Sequence, residues 1–371
     1  MTDDACPICA GTAPAEELEL REMMFGTRAS FPYLRCPDCG TFRIEQVPSD
    51  LRPYYPAAYY AFSAPDSIPD DGWITRTLNG MRSAPRLFGR GYRAARIAGL
   101  RVAPITEVRA YAPMLSLAGV RGYGDPIVDV GCGSRPFRLA ELRRIGFTSL
   151  LGLEPFLTDP GPVTFHGIPI RRQELTELPG SDRFQLVMFH HSFEHIATPR
   201  QTLEAAARLL RPGGTCLIRT PLADGALWDR YGVDWVELDP PRHLFVFTRR
   251  ALLDLAGQVG LELVAEVDDS GAWEFIASEQ YRRDIAMNDE DSWFSSPERS
   301  PISDADVVAF KAQAKELNLN RTAGRAGFYF RKPGPGAAGP GPTGVAGDVV
   351  YDTEPIPPAD GGTHLQEATS R

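Results

Sequence analysis

The chain has 371 residues and a formal net charge of −9, with 43% hydrophobic and 23% charged residues, which is ordinary for a water-soluble globular protein of about two domains. The acidic balance counts against a nucleic-acid binder in bulk, although a local basic patch could still act. The opening MTDDACPICA has no apolar core of a signal peptide, and no run approaches the roughly 18 apolar residues of a spanning helix, so a cytoplasmic protein is expected.

CPICAG at 6–11 and CPDCG at 36–40 each place two thiols on a tight turn, with 26 residues between Cys9 and Cys36. In a chain without a signal peptide such pairs read as metal ligands before disulfides. Cys6, Cys9, Cys36 and Cys39 are therefore expected to hold one zinc ion, ahead of iron, in a structural four-thiolate ribbon over residues 1–50. So short a segment builds little core, and the metal would supply its folding energy.

Residues 51–104 connect this ribbon to the larger C-terminal part of the chain. PYYPAAYYAF at 53–62 is aromatic and reads as packing or as a cleft wall. Residues 74–101 carry seven arginines and no acid. Ile74, Leu78, Met81, Phe88 and Tyr92 fall near one helical face, and Arg82, Arg86, Arg90 and Arg93 form a stripe. Pro85, Gly89 and Gly91 weaken a continuous helix. The stripe reads as a solvated face or as a dock for phosphate on a membrane surface or a nucleotide.

From 127 onward strands and helices alternate. Strands are expected at IVDV (127–130), SLLGLEP (149–155), PIRRQ (169–173), FQLVMFHH (184–191), TCLIRTP (215–221) and LELVAEVDD (261–269). Helices are expected at 137–146, at 198–214 with a Pro-Gly-Gly stop, and at 248–260 with a Thr N-cap. This order implies a mostly parallel sheet covered on both faces. GFYFRK (327–332) reads as a last strand that could pair antiparallel to the sixth, and residues 333–371, rich in Pro, Gly and Ala, as a disordered tail.

Asp129, Gly131, Cys132 and Gly133 close the first strand and open the loop where a doubly wound sheet binds ligands. Glu154 ends the second strand, placed to accept the two hydroxyls of a ribose. FHHSFEHIATP at 189–199 gathers three of the chain's six histidines around Glu194. His191 and His195 sit four apart, but the HExxH order of a zinc hydrolase is absent.

Together, IVDVGCG, Glu154, the histidine stretch and LLRPGGTCLIRTP resemble class I S-adenosylmethionine-dependent methyltransferases. The resemblance covers roughly residues 105–332 and implies a Rossmann-like, seven-stranded α/β sheet. It implies that Gly131 and Gly133 line the methionine and ribose of S-adenosylmethionine and that Glu154 holds the ribose. Gln173 and Glu174 would lie near the adenine, and His190 would border the cofactor. Arg135-Pro136 departs from the small residue many relatives carry there. FHHSFEHIATP is similar to the family's "SHVLEH" segment, so His191, Glu194 and His195 would floor the cofactor site. Some ubiquinone-type O-methyltransferases bind a metal at corresponding positions, which keeps a second metal site at His191, Glu194 and His195 open.

YYPAAYY after a ribbon and DPPRHLFVFT at 239–248 resemble a branch associated with sugar and surface-polysaccharide pathways. That resemblance implies that Arg242 and His243 meet the acceptor, with residues 270–326 as a helical cover. The expected activity is methyl transfer to a small-molecule acceptor, a hydroxyl of a saccharide or nucleotide-linked sugar, with His191 or His243 as the catalytic base. The alternatives are an RNA methyltransferase that grips phosphates with ribbon and arginine stripe, and a non-catalytic S-adenosylmethionine-binding scaffold.

Overall fold

The computed structural model describes residues 5–56, 71–104, 108–109, 111–157 and 163–334. Much of the aromatic stretch at 53–62 and nearly all of the tail from 333 lie outside the described residues.

Among the described residues the main sheet has eight strands. They are β4 (Ile127–Val130), β5 (Leu150–Leu153), β6 (Val163–Phe165), β7 (Ile168–Arg171), β8 (Phe184–His190), β9 (Leu210–Pro221), β11 (Glu262–Asp268) and β12 (Arg325–Arg331). Their order is β11-β12-β9-β8-β4-β5-β7-β6. The run β7-β5-β4-β8-β9 is parallel. β12 is antiparallel to both β9 and β11, so the last strand inserts between them. All four residues of β4 and of β5 are buried, as central strands covered on two faces require.

The expected count of seven strands is corrected to eight. The extra strand, β6, folds back antiparallel on β7 at the sheet edge. Its turn residues His166 and Gly167 have φ of 50° and 71°, the left-handed pair that a two-residue hairpin needs.

Helices cover both faces. α1 (Trp73–Phe88), α2 (Tyr92–Ile97), α3 (Ala112–Leu117) and α4 (Phe137–Arg144) precede α5 (Pro199–Leu209), α6 (Ala226–Tyr231), α7 (Arg249–Gln258), α8 (Ala272–Tyr281) and α9 (Asp304–Asn320). α5 buries Leu203, Ala206 and Leu209 at helical spacing. It ends before the expected Pro-Gly-Gly stop, because the chain enters β9 at Leu210. Gly214 there admits no side chain: a Cβ would stand 3.0 Å from the Phe184 carbonyl oxygen. Thr248 caps α7 as expected, its side chain accepting from the Ala251 N–H.

α1 buries Gly80, Ser83 and Leu87, while Ile74 and Leu78 of the apolar set face solvent and Tyr92 on α2 is also exposed. The reason is close packing: a Cβ on Gly146 would lie 2.9 Å from the Gly80 Cα, so small residues mark the inner face. The arginine stripe is also interrupted, since Gly89 and Gly91, both at positive φ, separate the two helices.

The ribbon forms a second sheet of β1 (Glu16–Arg21), β2 (Ser30–Arg35) and β3 (Phe42–Ile44), completed by β10 (Phe245–Val246) from the far side of the chain. Its buried side chains, among them Leu20, Tyr33 and Phe42, are continuous with the core beneath α5 and α7. Phe42 meets Trp228 with ring centroids 4.6 Å apart. The ribbon therefore borrows its core from the larger sheet.

Candidate functional site

The carboxyl ends of β4, β5, β7, β8 and β9 open on one edge, which places the loop after β4, Glu154, Gln173 and the histidine stretch side by side. Gly131 and Gly133 both have φ of 70°. Gly131 admits no side chain, because a Cβ would stand 2.6 Å from that of Ser192. The Gly131 N–H donates to the Leu153 carbonyl at 2.8 Å and pins the loop to β5.

Glu154 turns its carboxylate back into this loop. It accepts from the Gly133 N–H at 2.9 Å and the Phe156 N–H at 3.0 Å. Burial raises its pKa, and those two N–H groups oppose the rise. Asp129 is buried on β4 behind the loop, and burial pushes the Cys132 thiol well above its usual range. Arg135 and Pro136 lead straight into α4, with Pro136 at its N-cap position.

His190 ends β8 with neither ring nitrogen partnered, although both are buried. Two orphaned polar atoms beside a glycine loop fit the rim of a ligand site. Glu174 is exposed and begins the turn Leu175–Glu177 as a capping box, its carboxylate accepting from Thr176 at 3.2 Å. Gln173 is half-buried beside it. The residues present therefore fit an adenosyl ligand: close backbone at the glycines, a carboxylate at the second strand end and unpartnered imidazole nitrogens.

Next to this edge lies a buried acid–base cluster. His191 sits at φ 49°, with Nδ1 3.5 Å from Glu194 Oε1. Glu194 is fully buried; its Oε2 accepts from the Thr220 hydroxyl at 3.0 Å, while Oε1 has no donor. His243 donates from Nδ1 to the Glu237 carbonyl at 2.7 Å, which leaves Nε2 as an acceptor, 3.9 Å from Glu194 Oε1. His195 likewise donates from Nδ1 to the Arg242 carbonyl at 2.7 Å, with the Tyr55 hydroxyl 3.1 Å away. Its ring stands edge-on to His243 at 4.7 Å.

Burial sets the protonation of the cluster. It drives His191 well below the usual imidazole range, lowers His243 and takes His195 down to about 3. The same desolvation pushes Glu194 up to about 8. At neutral pH the imidazoles are uncharged and Glu194 is mostly protonated. The near-neutral imidazole expected of the base is not what burial produces: it lowers the histidines, while the Glu194 carboxyl is the group pushed up, to about 8.

Glu194, His195 and His243 have ligand-type atoms within 4.8 Å of one another. His243 takes the place that the sequence reading gave to His191 in a second metal set. Beyond them, Glu237 and Glu274 are buried around Arg325, 3.7 Å and 3.5 Å from it. Sequence reasoning missed these acids. Glu237 was within reach, being two residues before DPPRH; Glu274 and Arg325 come together only through α8 and β12.

The expectation that Arg242 meets the acceptor is corrected. Arg242 is fully buried and spends its donors on protein. Nε and Nη2 donate to the two Asp239 oxygens at 2.8 and 2.5 Å, Nη2 also to Glu22 at 2.8 Å, and Nη1 to the Tyr54 carbonyl at 3.2 Å. It joins the ribbon to the loop that carries His243.

In the ribbon, Cys6 Sγ is 3.8 Å from Cys39 Sγ, and Cys9 Sγ is 3.6 Å from Cys36 Sγ. All four sulfurs lie within 4.8 Å of one another. These separations far exceed the roughly 2.05 Å of a disulfide. They match the ~3.8 Å edge of a tetrahedron with metal–sulfur bonds of about 2.3 Å.

Residues 103–266, less than half of the chain, match the family model described as a methyltransferase domain. No curated protein matches the chain. Solved structures similar to it include an S-adenosylmethionine-dependent methyltransferase from Mesorhizobium loti, at 18% identity over 60% of this chain and 97% of that one, with a TM-score of 0.38. A geranyl diphosphate methyltransferase in complex with S-adenosylmethionine is 16% identical over 65% of this chain and 90% of its own, with a TM-score of 0.39. Residues 103–266 are thus similar to a methyltransferase domain, and the strands and helices there form an α/β fold with a mostly parallel sheet.

Arg242→Met tests the buried bridge. It leaves Asp239 and Glu22 unpaired in the core and is expected to cost about 3–5 kcal/mol in urea unfolding, against a small change for Arg250→Met on the exposed side of α7.

Proposed function

We propose that the chain transfers a methyl group from S-adenosylmethionine to a small-molecule acceptor, a hydroxyl of a saccharide or nucleotide-linked sugar. The observation that carries this reading is the buried cluster of His191, Glu194 and His243 beside the glycine loop. It offers both acceptors, such as His243 Nε2, and donors, such as the protonated Glu194 carboxyl, which suits an acceptor rich in hydroxyls. Bound S-adenosylmethionine supplies an activated methyl on a sulfonium, so the protein contributes mainly alignment and a place for the acceptor's proton.

In this reading the backbone of Gly131, Cys132 and Gly133 approaches the cofactor, with Asp129 supporting the loop from behind. Glu154 exchanges its two backbone donors for the ribose hydroxyls. Gln173 and Glu174 border the adenine and His190 the sulfonium side. His243, held by the Glu237 carbonyl with Nε2 free of a proton, takes the acceptor's hydroxyl proton, or His191 does through its unpartnered Nε2. Glu194, protonated at neutral pH, orients both rings. α8 and α9 cover the pocket and bring Glu274 against the same side. Cys6, Cys9, Cys36 and Cys39 hold a structural zinc ion that fixes the ribbon onto the loop after β9.

Glu154→Ala is expected to weaken S-adenosylmethionine about 10- to 100-fold by titration calorimetry; unaltered affinity refutes the ribose role. Elemental analysis of the purified chain is expected to find zinc, and Cys36→Ser to lose it along with part of the thermal stability of the whole fold; wild-type protein free of zinc and iron refutes the ribbon site. Release of S-adenosylhomocysteine is the assay for turnover. Nucleotide-sugar and saccharide pools are expected to support it, total RNA is not, and His243→Asn or His191→Asn lowers it roughly 100-fold or more. Turnover with RNA alone overturns the saccharide reading, and bound cofactor with no turnover in either arm favours the scaffold.

A further inference from the structure

The face of α1 and α2 turned away from the core has a composition that the methyltransferase reading does not use. Ile74, Leu78, Arg82 and Arg86 follow one another at intervals of four, each beside the next, in a row that winds about 120° around α1 from its apolar to its basic end. Ile74 and Leu78 are exposed in the first half of the row, and Arg86 is exposed in the second. Trp73, at the start of the helix, is 71% exposed, and Ile97, at the end of α2, is 85% exposed. From 72 to 104 the chain has no acid to balance its arginines, within a molecule whose net charge is −9.

We propose that this face docks α1 and α2 onto the surface of an anionic lipid bilayer. The patch combines two features that different partners would use separately. An apolar row with an indole at one end sinks into the boundary between headgroups and acyl chains. Exposed arginines beside it, Arg86 in the last turn of α1 and Arg93 on α2, can reach lipid phosphates while their stems stay in the apolar layer. The helices lie on the surface: among the described residues no helix is long and apolar enough to cross a membrane.

Two other occupants fit less well. A nucleic acid would use the arginines and leave Trp73, Ile74, Leu78 and Ile97 in water. A second copy of the chain across a twofold axis would set an acid-free basic patch against itself, where interface cores are depleted of charge. A bilayer bearing phosphates satisfies both parts of the patch at once.

The test is sedimentation of the full chain with vesicles of phosphatidylcholine alone and with phosphatidylglycerol mixed in. Binding is expected only to the mixed vesicles, falling with salt. Arg86→Gln with Arg93→Gln, both exposed, is expected to weaken it roughly 30-fold. Ile74→Ser with Leu78→Ser is expected to weaken it about tenfold or more, with melting temperature and cofactor binding unchanged. Failure to bind the mixed vesicles overturns the proposal, as does binding that ignores the Ile74 and Leu78 substitutions, the sign of a purely ionic contact. A dimer in solution that those substitutions dissolve assigns the face to a second copy. Retention of RNA instead of vesicles assigns it to nucleic acid. None of these outcomes depends on turnover, so they separate this inference from the saccharide reading.

Discussion

The buried guanidinium of Arg242 is the contact on which the arrangement of the site rests. Its planar fork holds both oxygens of Asp239, and its other donors reach Glu22 in the ribbon and the Tyr54 carbonyl in the connecting segment. Burial alone would push the Asp239 carboxyl up, and Arg242 more than offsets this, holding it below its usual value. Three stretches of sequence far apart are thereby fixed around one charge. His243 is the next residue, and its carbonyl accepts from the fully buried Tyr33 hydroxyl at 2.7 Å. The ribbon thus sets the position of an imidazole more than 200 residues away.

Desolvation organises the chemistry of the neighbouring cluster. Removing water lowers the imidazoles and raises the carboxyl, which pushes Glu194 up to about 8 and leaves the histidines uncharged. A neutral imidazole with Nδ1 tied to a carbonyl presents a lone pair at Nε2 in a defined direction. That is what a base for a hydroxyl proton needs, even with a low intrinsic pKa in the absence of acceptor.

Much of this was legible in the sequence because it is written in local patterns. IVDVGCG, the acid ending β5 and the alternation of strands and helices gave the parallel sheet and its binding edge, since strand period and glycine turns need only near neighbours. The two CPxC turns gave the four-thiol cluster for the same reason. What stayed hidden depends on contacts between distant segments. Glu22 carries no motif, and its pairing with Arg242 requires the ribbon to be folded against the loop after β9. The inner face of α1 left little sign in the sequence because it is lined by Gly80 and Ser83, which allow close approach and are silent in a hydrophobicity pattern. The HG turn before β7 was visible but sits between strands of only three and four residues, too short for alternation to stand out.

The pairing of β3 with β10 has a consequence for synthesis. On a ribosome the ribbon strands emerge before β10, so the edge of β3 stays open until residues 245 and 246 appear, some 200 residues later. Through that interval Phe42 and Tyr33 lack the partners that bury them, and an unpaired strand edge is a template for pairing with other chains. The ribbon sheet is then completed only after most of the larger sheet has been made. A four-thiol cluster that captured a metal early would hold the nascent strands together during the wait.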